Sequence, residues 1–150
     1  MIHIKTEAGT KEYPVIEAIE KLKEGYEIDW KKFREIVTMT QMFLRKEIQS
    51  QQLMVKEDEI PILENIYDYQ HLLKIYKASE LTNDQSNLSL LLKFEGLVDR
   101  LKKIRLTKIL KIASMSLYGN ATISPSLTKS ELYIYEMVSN FLVRILDELF

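Results

Sequence analysis

The chain has 150 residues, 46% apolar and 29% charged, with a formal net charge of -1. That is the composition of one ordinary globular domain, able to bury roughly two-thirds of its unfolded surface. It excludes disordered, collagen-like and membrane classes, and the near-zero charge argues against a general nucleic-acid binder. With no cysteine there is neither a disulfide framework nor a thiolate metal site. The start, MIHIKTEAGTKEY, lacks the basic and apolar blocks of a signal peptide, and no apolar run approaches the roughly 18 residues of a membrane span. A cytoplasmic protein is expected.

Ile2, Ile4 and Thr6 alternate with His3 and Lys5, which predicts a short strand at a sheet edge or an extended arm. Pro14, followed by Val15, Ile16, Ile19 and Leu22, suits a short helix that Gly25 stops. From Asp29, an N-cap residue, Trp30, Phe33, Val37, Leu44, Ile48 and Val55 keep one face and predict a second, long helix to about Val55. Glu47 falls on this apolar side. After a charged break, Pro61 opens a third helix with Leu63, Ile66, Tyr67, Leu73 and Tyr76 on its face. A polar loop over 82–87 then offers Ser86 or Asn87 as a cap.

Residues 88–118 form the central element, thirty-one residues without proline. Leu90, Phe94, Leu97, Leu101, Ile104 and Ile112 recur at helical spacing. With successive residues about 100° apart, Arg105 and Lys108 fall inside the apolar arc, whereas Arg100, Lys103 and Lys111 face the polar side. A cation on an apolar stripe needs a carboxylate or must snorkel to solvent, and Glu47 is one candidate partner for Arg105. Gly96, unfavourable inside a helix, predicts close approach of a neighbouring backbone. Gly119 and Asn120 end the helix.

Ser124, Pro125 and Ser126 lead to Thr128 and Glu131, spaced as a capping box for a last helix. Beyond its main stripe of Ile134, Val138, Phe141, Leu142, Ile145 and Leu149, this helix carries Leu132, Tyr133, Val143 and Phe150 on other sides. A helix apolar on several sides is central in a bundle or shared with a partner. The fold class is therefore all-α, a bundle of about five helices with a long central one and a possible N-terminal strand or arm.

Catalytic constellations are absent from the sequence pattern. His3 and His71 lack the spacing of a metal site, four scattered glycines build no phosphate loop, and adjacent acids such as Asp147 and Glu148 diverge on a helix. No enzyme activity, cofactor or metal is expected. Charge is unevenly distributed: residues 57–84 hold seven acids and two bases, and 88–118 hold seven bases and two acids. The bland reading is acidic and basic helices side by side. The other is a basic face of Arg100, Lys103 and Lys111 offered to an acidic partner or nucleic acid, although few aromatics are interleaved with it.

The order of LRKEIQSQQL at 44–53, the acidic third helix, LVDRLKKIRLTKILKIA at 97–113 and LTKSELYIYEMVSNFL at 127–142 resembles the helical domain of GINS subunits. The similar branch is the archaeal one in which that domain precedes a small β domain. Arg105, Lys108 and Ile109 match the family's arginine–lysine–isoleucine helix pattern, and Leu127, Thr128 and Glu131 match its cap; the match covers about 30–146 and leaves 1–29 unaccounted for. The resemblance implies a non-catalytic scaffold subunit of a DNA replication complex. It would bind a second GINS-type subunit in a hetero-oligomer, a tetramer in the family, and support the MCM helicase together with a RecJ-like protein. It adds weight to Glu131 as the partner of Arg105, with Glu47 the alternative, and assigns Tyr133, Phe141 and Ile145 to the subunit interface. Because the sequence stops at Phe150, the expectation is a single helical domain over 1–150 without the C-terminal β domain. The competing expectation is a helical nucleic-acid-binding module working through Arg100, Lys103 and Lys111.

Overall fold

The computed structural model describes residues 1–119 and 126–149. Asn120, Ser124, Pro125 and Phe150 lie outside the described residues. Strands β1 (Ile2–Thr6), β2 (Gly9–Tyr13) and β3 (Glu27–Ile28) surround helix α1 (Val15–Lys23) in sequence, and α2 (Trp30–Ile48), α3 (Ile60–Ile75), α4 (Ala78–Leu81), α5 (Gln85–Met115) and α6 (Lys129–Leu149) follow. The protein is mainly α-helical, but not all-α.

The N-terminal segment is a three-stranded antiparallel sheet in the order β2-β1-β3. β1 is its central strand, not an edge or an arm. Ile2 pairs with Tyr13 and Ile4 with both Lys11 and Ile28, and the inward Ile2, Ile4 and Ile28 are buried beneath Ala18 and Leu22 of α1. The hairpin closes at Gly9, whose φ of 101° is costly for residues with a Cβ. The sheet is bound to the helices by polar contacts: the His3 amide donates to the Tyr69 hydroxyl at 3.0 Å, and the Asp29 amide donates to the His3 carbonyl at 2.9 Å. Asp29 also caps α2 by accepting from the Lys32 amide at 3.2 Å.

The main core lies between α2, α3 and α5. Phe33 sits at its centre, with ring centroids 5.3 Å from Tyr69 and 5.1 Å from Phe94. Phe33 meets Phe94, and fourteen residues on Glu47 meets Lys108 with the same sequence offset of 61. The constant offset means that α2 and α5 run parallel. A smaller core of Ile109, Ala113 and Tyr135, flanked by Val138, joins α5 to α6.

Three boundaries differ from the sequence expectation. α2 stops at Ile48 instead of continuing to Val55, because the Lys108 ammonium takes the carbonyls of Glu47 and Gln52, both at 2.7 Å, and holds the chain as it turns away. α5 begins at Gln85 under Asp84, which accepts from the Ser86 and Asn87 amides at 2.7 and 3.4 Å; those two residues are capped, not capping. The four-residue α4 brings the described helices to six.

Gly96 marks no close approach. It is exposed, and an added Cβ would meet nothing within 4 Å. Gly96→Ala is therefore expected to stabilise the protein by about 0.5 to 1 kcal/mol, measured as a higher urea midpoint at unchanged slope.

Candidate interaction surface and the ion cluster behind it

Where α2, α5 and the start of α6 converge, four charged side chains meet out of water. Arg105 is fully buried and Glu47, Lys108 and Glu131 are nearly so. Arg105 Nε donates to Glu131 Oε2 at 2.7 Å and its Nη2 to Glu131 Oε1 at 2.8 Å, a bidentate pair. Its Nη1 donates to Glu47 Oε2 at 2.6 Å, and Nη2 also reaches the Ser126 carbonyl at 2.7 Å. The arginine thus takes both candidate acids at once. Lys108 adds a bond from Nζ to Glu47 Oε1 at 2.6 Å. Two cations balance two anions, so the cluster is neutral as a unit.

Saturation makes such burial tolerable, because an unpaired buried charge costs several kcal/mol. The carboxylate oxygens also accept further bonds beside those from the cations. Glu47 Oε1 accepts from the Met54 amide at 3.0 Å, while Glu131 accepts from the Tyr67 hydroxyl at 2.8 Å and the Thr128 amide at 2.9 Å. The Glu131 amide donates in return to Thr128 Oγ1 at 3.2 Å, completing a capping box at the start of α6. Glu131 therefore joins helix cap and ion cluster. Tyr67 had no role in the sequence beyond an apolar stripe, and only its place one helix away from Glu131 in space reveals it as a donor.

These partners set the ionisation states. Burial is the largest influence on Glu131 and opposes its charge, but the bonds from Arg105, Thr128 and Tyr67 together outweigh it and hold its pKa below 4.5. For Arg105 burial again opposes the charge, and the bonds and negative charge of Glu131 reverse it, raising the pKa above its ordinary value. Burial, reinforced by the negative charge of Glu131, raises the Tyr67 pKa and keeps its hydroxyl a donor.

From this anchor α6 runs alongside α5 in the same direction, as the packing of Tyr135 and Val138 with Ile109 and Ala113 requires. Beyond Tyr135 none of its described residues is buried. Tyr133 is 67% exposed and Phe141 59%, and Ile145 is half-buried; Met137, Val143, Leu146 and Leu149 add exposed apolar surface around the helix. The bases Arg100, Lys103 and Lys111 stand on the outer side of α5, all exposed, with Lys103 paired to Asp99 at 2.9 Å. Two of these bases flank the ion cluster, Lys103 lining a groove with Glu131 and Lys111 lining one with Glu47 and Lys108.

Among the described residues no group of three or more His, Cys, Asp or Glu side chains could hold a metal ion, and no helix is long and apolar enough to cross a membrane. No protein-family description, curated protein or solved structure matches the chain.

Removing Arg105 would leave the buried Glu131 carboxylate without a cation and Glu47 with Lys108 alone. Arg105→Ala is expected to lower stability by about 3 to 5 kcal/mol, read by denaturant titration; an unchanged midpoint would mean that the cluster contributes nothing net. Glu131 has a depressed folded-state pKa, so its contribution is complete above the ordinary value of 4.5 and is lost as pH falls through the lower folded-state value. Acid titration of Glu131→Gln should show a shallower loss of stability below pH 4.5 than the parent.

Proposed function

We propose that the protein is a non-catalytic scaffold subunit of a GINS-like replication complex, with α6 as its main subunit interface. The observation that carries this reading is a helix fixed rigidly at one end and left apolar and uncovered over the rest. Ion pairs and the capping box hold α6 at Glu131, while Tyr133, Met137 and Phe141 project from it. Large exposed apolar patches on soluble proteins mark association surfaces, and aromatic residues dominate the energetics of such surfaces. The GINS resemblance over 30–146 supplies the partner: a second GINS-type subunit, with the MCM helicase and a RecJ-like protein as further members of the assembly.

The mechanism is conformational. A scaffold works by holding partners in one relative arrangement, which requires that its own interface not drift. The cluster of Arg105, Glu47, Lys108 and Glu131 meets that requirement by tying α6 to two other helices through directional bonds.

Sedimentation and co-purification test the proposal. The chain should co-purify with a second GINS-type subunit, and Phe141→Ala should weaken that association by about 2 kcal/mol or more, the scale of an interface anchor. A stable monomer that captures no such subunit would sink the reading.

A further inference from the structure

We propose that the free edge of β2 is a strand-addition site and that its partner is an extended segment of another protein bearing a lysine or arginine. β2 is the outer strand of the sheet and is exposed from Gly9 to Glu12. The Asp29 amide bonds the His3 carbonyl, so His3 and Lys5 turn their backbone groups toward β3, while Ile2, Ile4 and Thr6 turn theirs toward β2. Tyr13, Lys11 and Gly9 bond back to those three, which leaves the N–H and C=O groups of Thr10 and Glu12 pointing away from the sheet. No turn or loop bond reaches these four groups among the described residues. The strand has neither proline nor bulge, two of the devices that close such an edge.

What lies beside the edge selects the partner. Lys11 is opposite Ile4 and stands on the α1 face, whereas Glu12 is opposite His3 and stands on the other face. There Glu12 borders a groove of about 560 Å³ between the sheet and the α2–α3 pair. Ile36, Pro61 and Ile62 are its apolar part, Glu12, Glu64 and Asp68 its acids, and no lysine or arginine lines it. Glu12 bonds His3 Nε2 at 2.9 Å and Asp68 holds the Met1 amine, but Glu64, half-buried, has no ion-pair or hydrogen-bond partner among the described residues. The bases of α5 do not offset these acids: among the described residues no ion pair joins 57–84 to 88–118.

A strand laid along β2 would exchange backbone bonds with Thr10 and Glu12, as in other cases of strand addition. Its residue opposite Glu12 would project on the Glu12 face, over the groove. A lysine or arginine there can lay its aliphatic stem on Ile36 and Ile62 and carry its charge to Glu64; an acid would be repelled. A second copy fits less well. Pairing through the same edge would set Thr10 or Glu12 opposite Glu12, and neither is a cation.

The test uses the intact chain and a dye-labelled peptide of about eight residues alternating lysine and threonine, read by fluorescence anisotropy at about 0.15 M salt. One control peptide has its lysine amides N-methylated, which removes donors and keeps charge; another has glutamate for lysine. The parent peptide is expected to bind at least about tenfold more tightly than either control. Thr10→Pro deletes an outward N–H that β1 does not use and should cost about tenfold, whereas Thr10→Val, which keeps the N–H and loses the hydroxyl bond to Asp29, should bind like the parent. Glu64→Gln should cost about threefold or more, with unchanged melting showing that it folds. Phe141→Ala, on the α6 surface, should leave the affinity unaltered, so the result is independent of the α6 interface. Equal binding of the N-methylated or the glutamate peptide, or an affinity indifferent to both Thr10→Pro and Glu64→Gln, would overturn the proposal. So would a dimer that forms without peptide and is broken by Thr10→Pro, which would give the edge to a second copy.

Discussion

The constraint on which the structure depends is the need to neutralise Arg105. A guanidinium with no exposure is tolerated only if nearly every donor finds an acceptor, and those acceptors must come from different parts of the chain. Glu47 brings the end of α2, Glu131 the first turn of α6, and the Ser126 carbonyl the segment that leads into it. Hydrophobic contact alone would let these elements slide; bonds of 2.6 to 2.8 Å fix their register. The aromatic core around Phe33 supplies bulk cohesion on the other side of the same helix pair.

Lys108 extends the constraint to the backbone. By accepting no substitute for water other than the Glu47 carboxylate and two carbonyls, it decides where α2 ends and how the following loop leaves. The carbonyls at a helix C-terminus lack intrahelical partners, and a buried ammonium is an effective donor for them. Position and charge act together here, so the loop over 49–55 is structured by a residue more than fifty positions away.

Much of this was legible in the sequence because charge and periodicity disagree at Arg105 and Lys108: the helical pattern buries them and their chemistry resists it. The acids were visible for the same reason, Glu47 as a carboxylate on an apolar face and Glu131 as a cap. That one arginine takes both acids at once is a matter of three-dimensional convergence and has no one-dimensional signature. The sheet was harder to read. β2, Gly-Thr-Lys-Glu-Tyr, has four exposed residues and no alternation, and β3 is two residues long, so only the Ile2 and Ile4 alternation gave a signal.

The bonds of Arg105 also impose an order of assembly. Its carboxylate partners lie 58 and 26 residues away along the chain, and the Lys108 bond to Glu47 closes a separation of 61. Contacts of such sequence distance must absorb loop-closure entropy before they return any stability. The 26-residue closure to Glu131 costs less entropy than the 58-residue closure to Glu47, so loop length alone favours the α5–α6 contact over the α2–α5 one. Complete pairing of the guanidinium needs both acids, so the surface that α6 carries is held in its place only while α2, α5 and α6 are all docked.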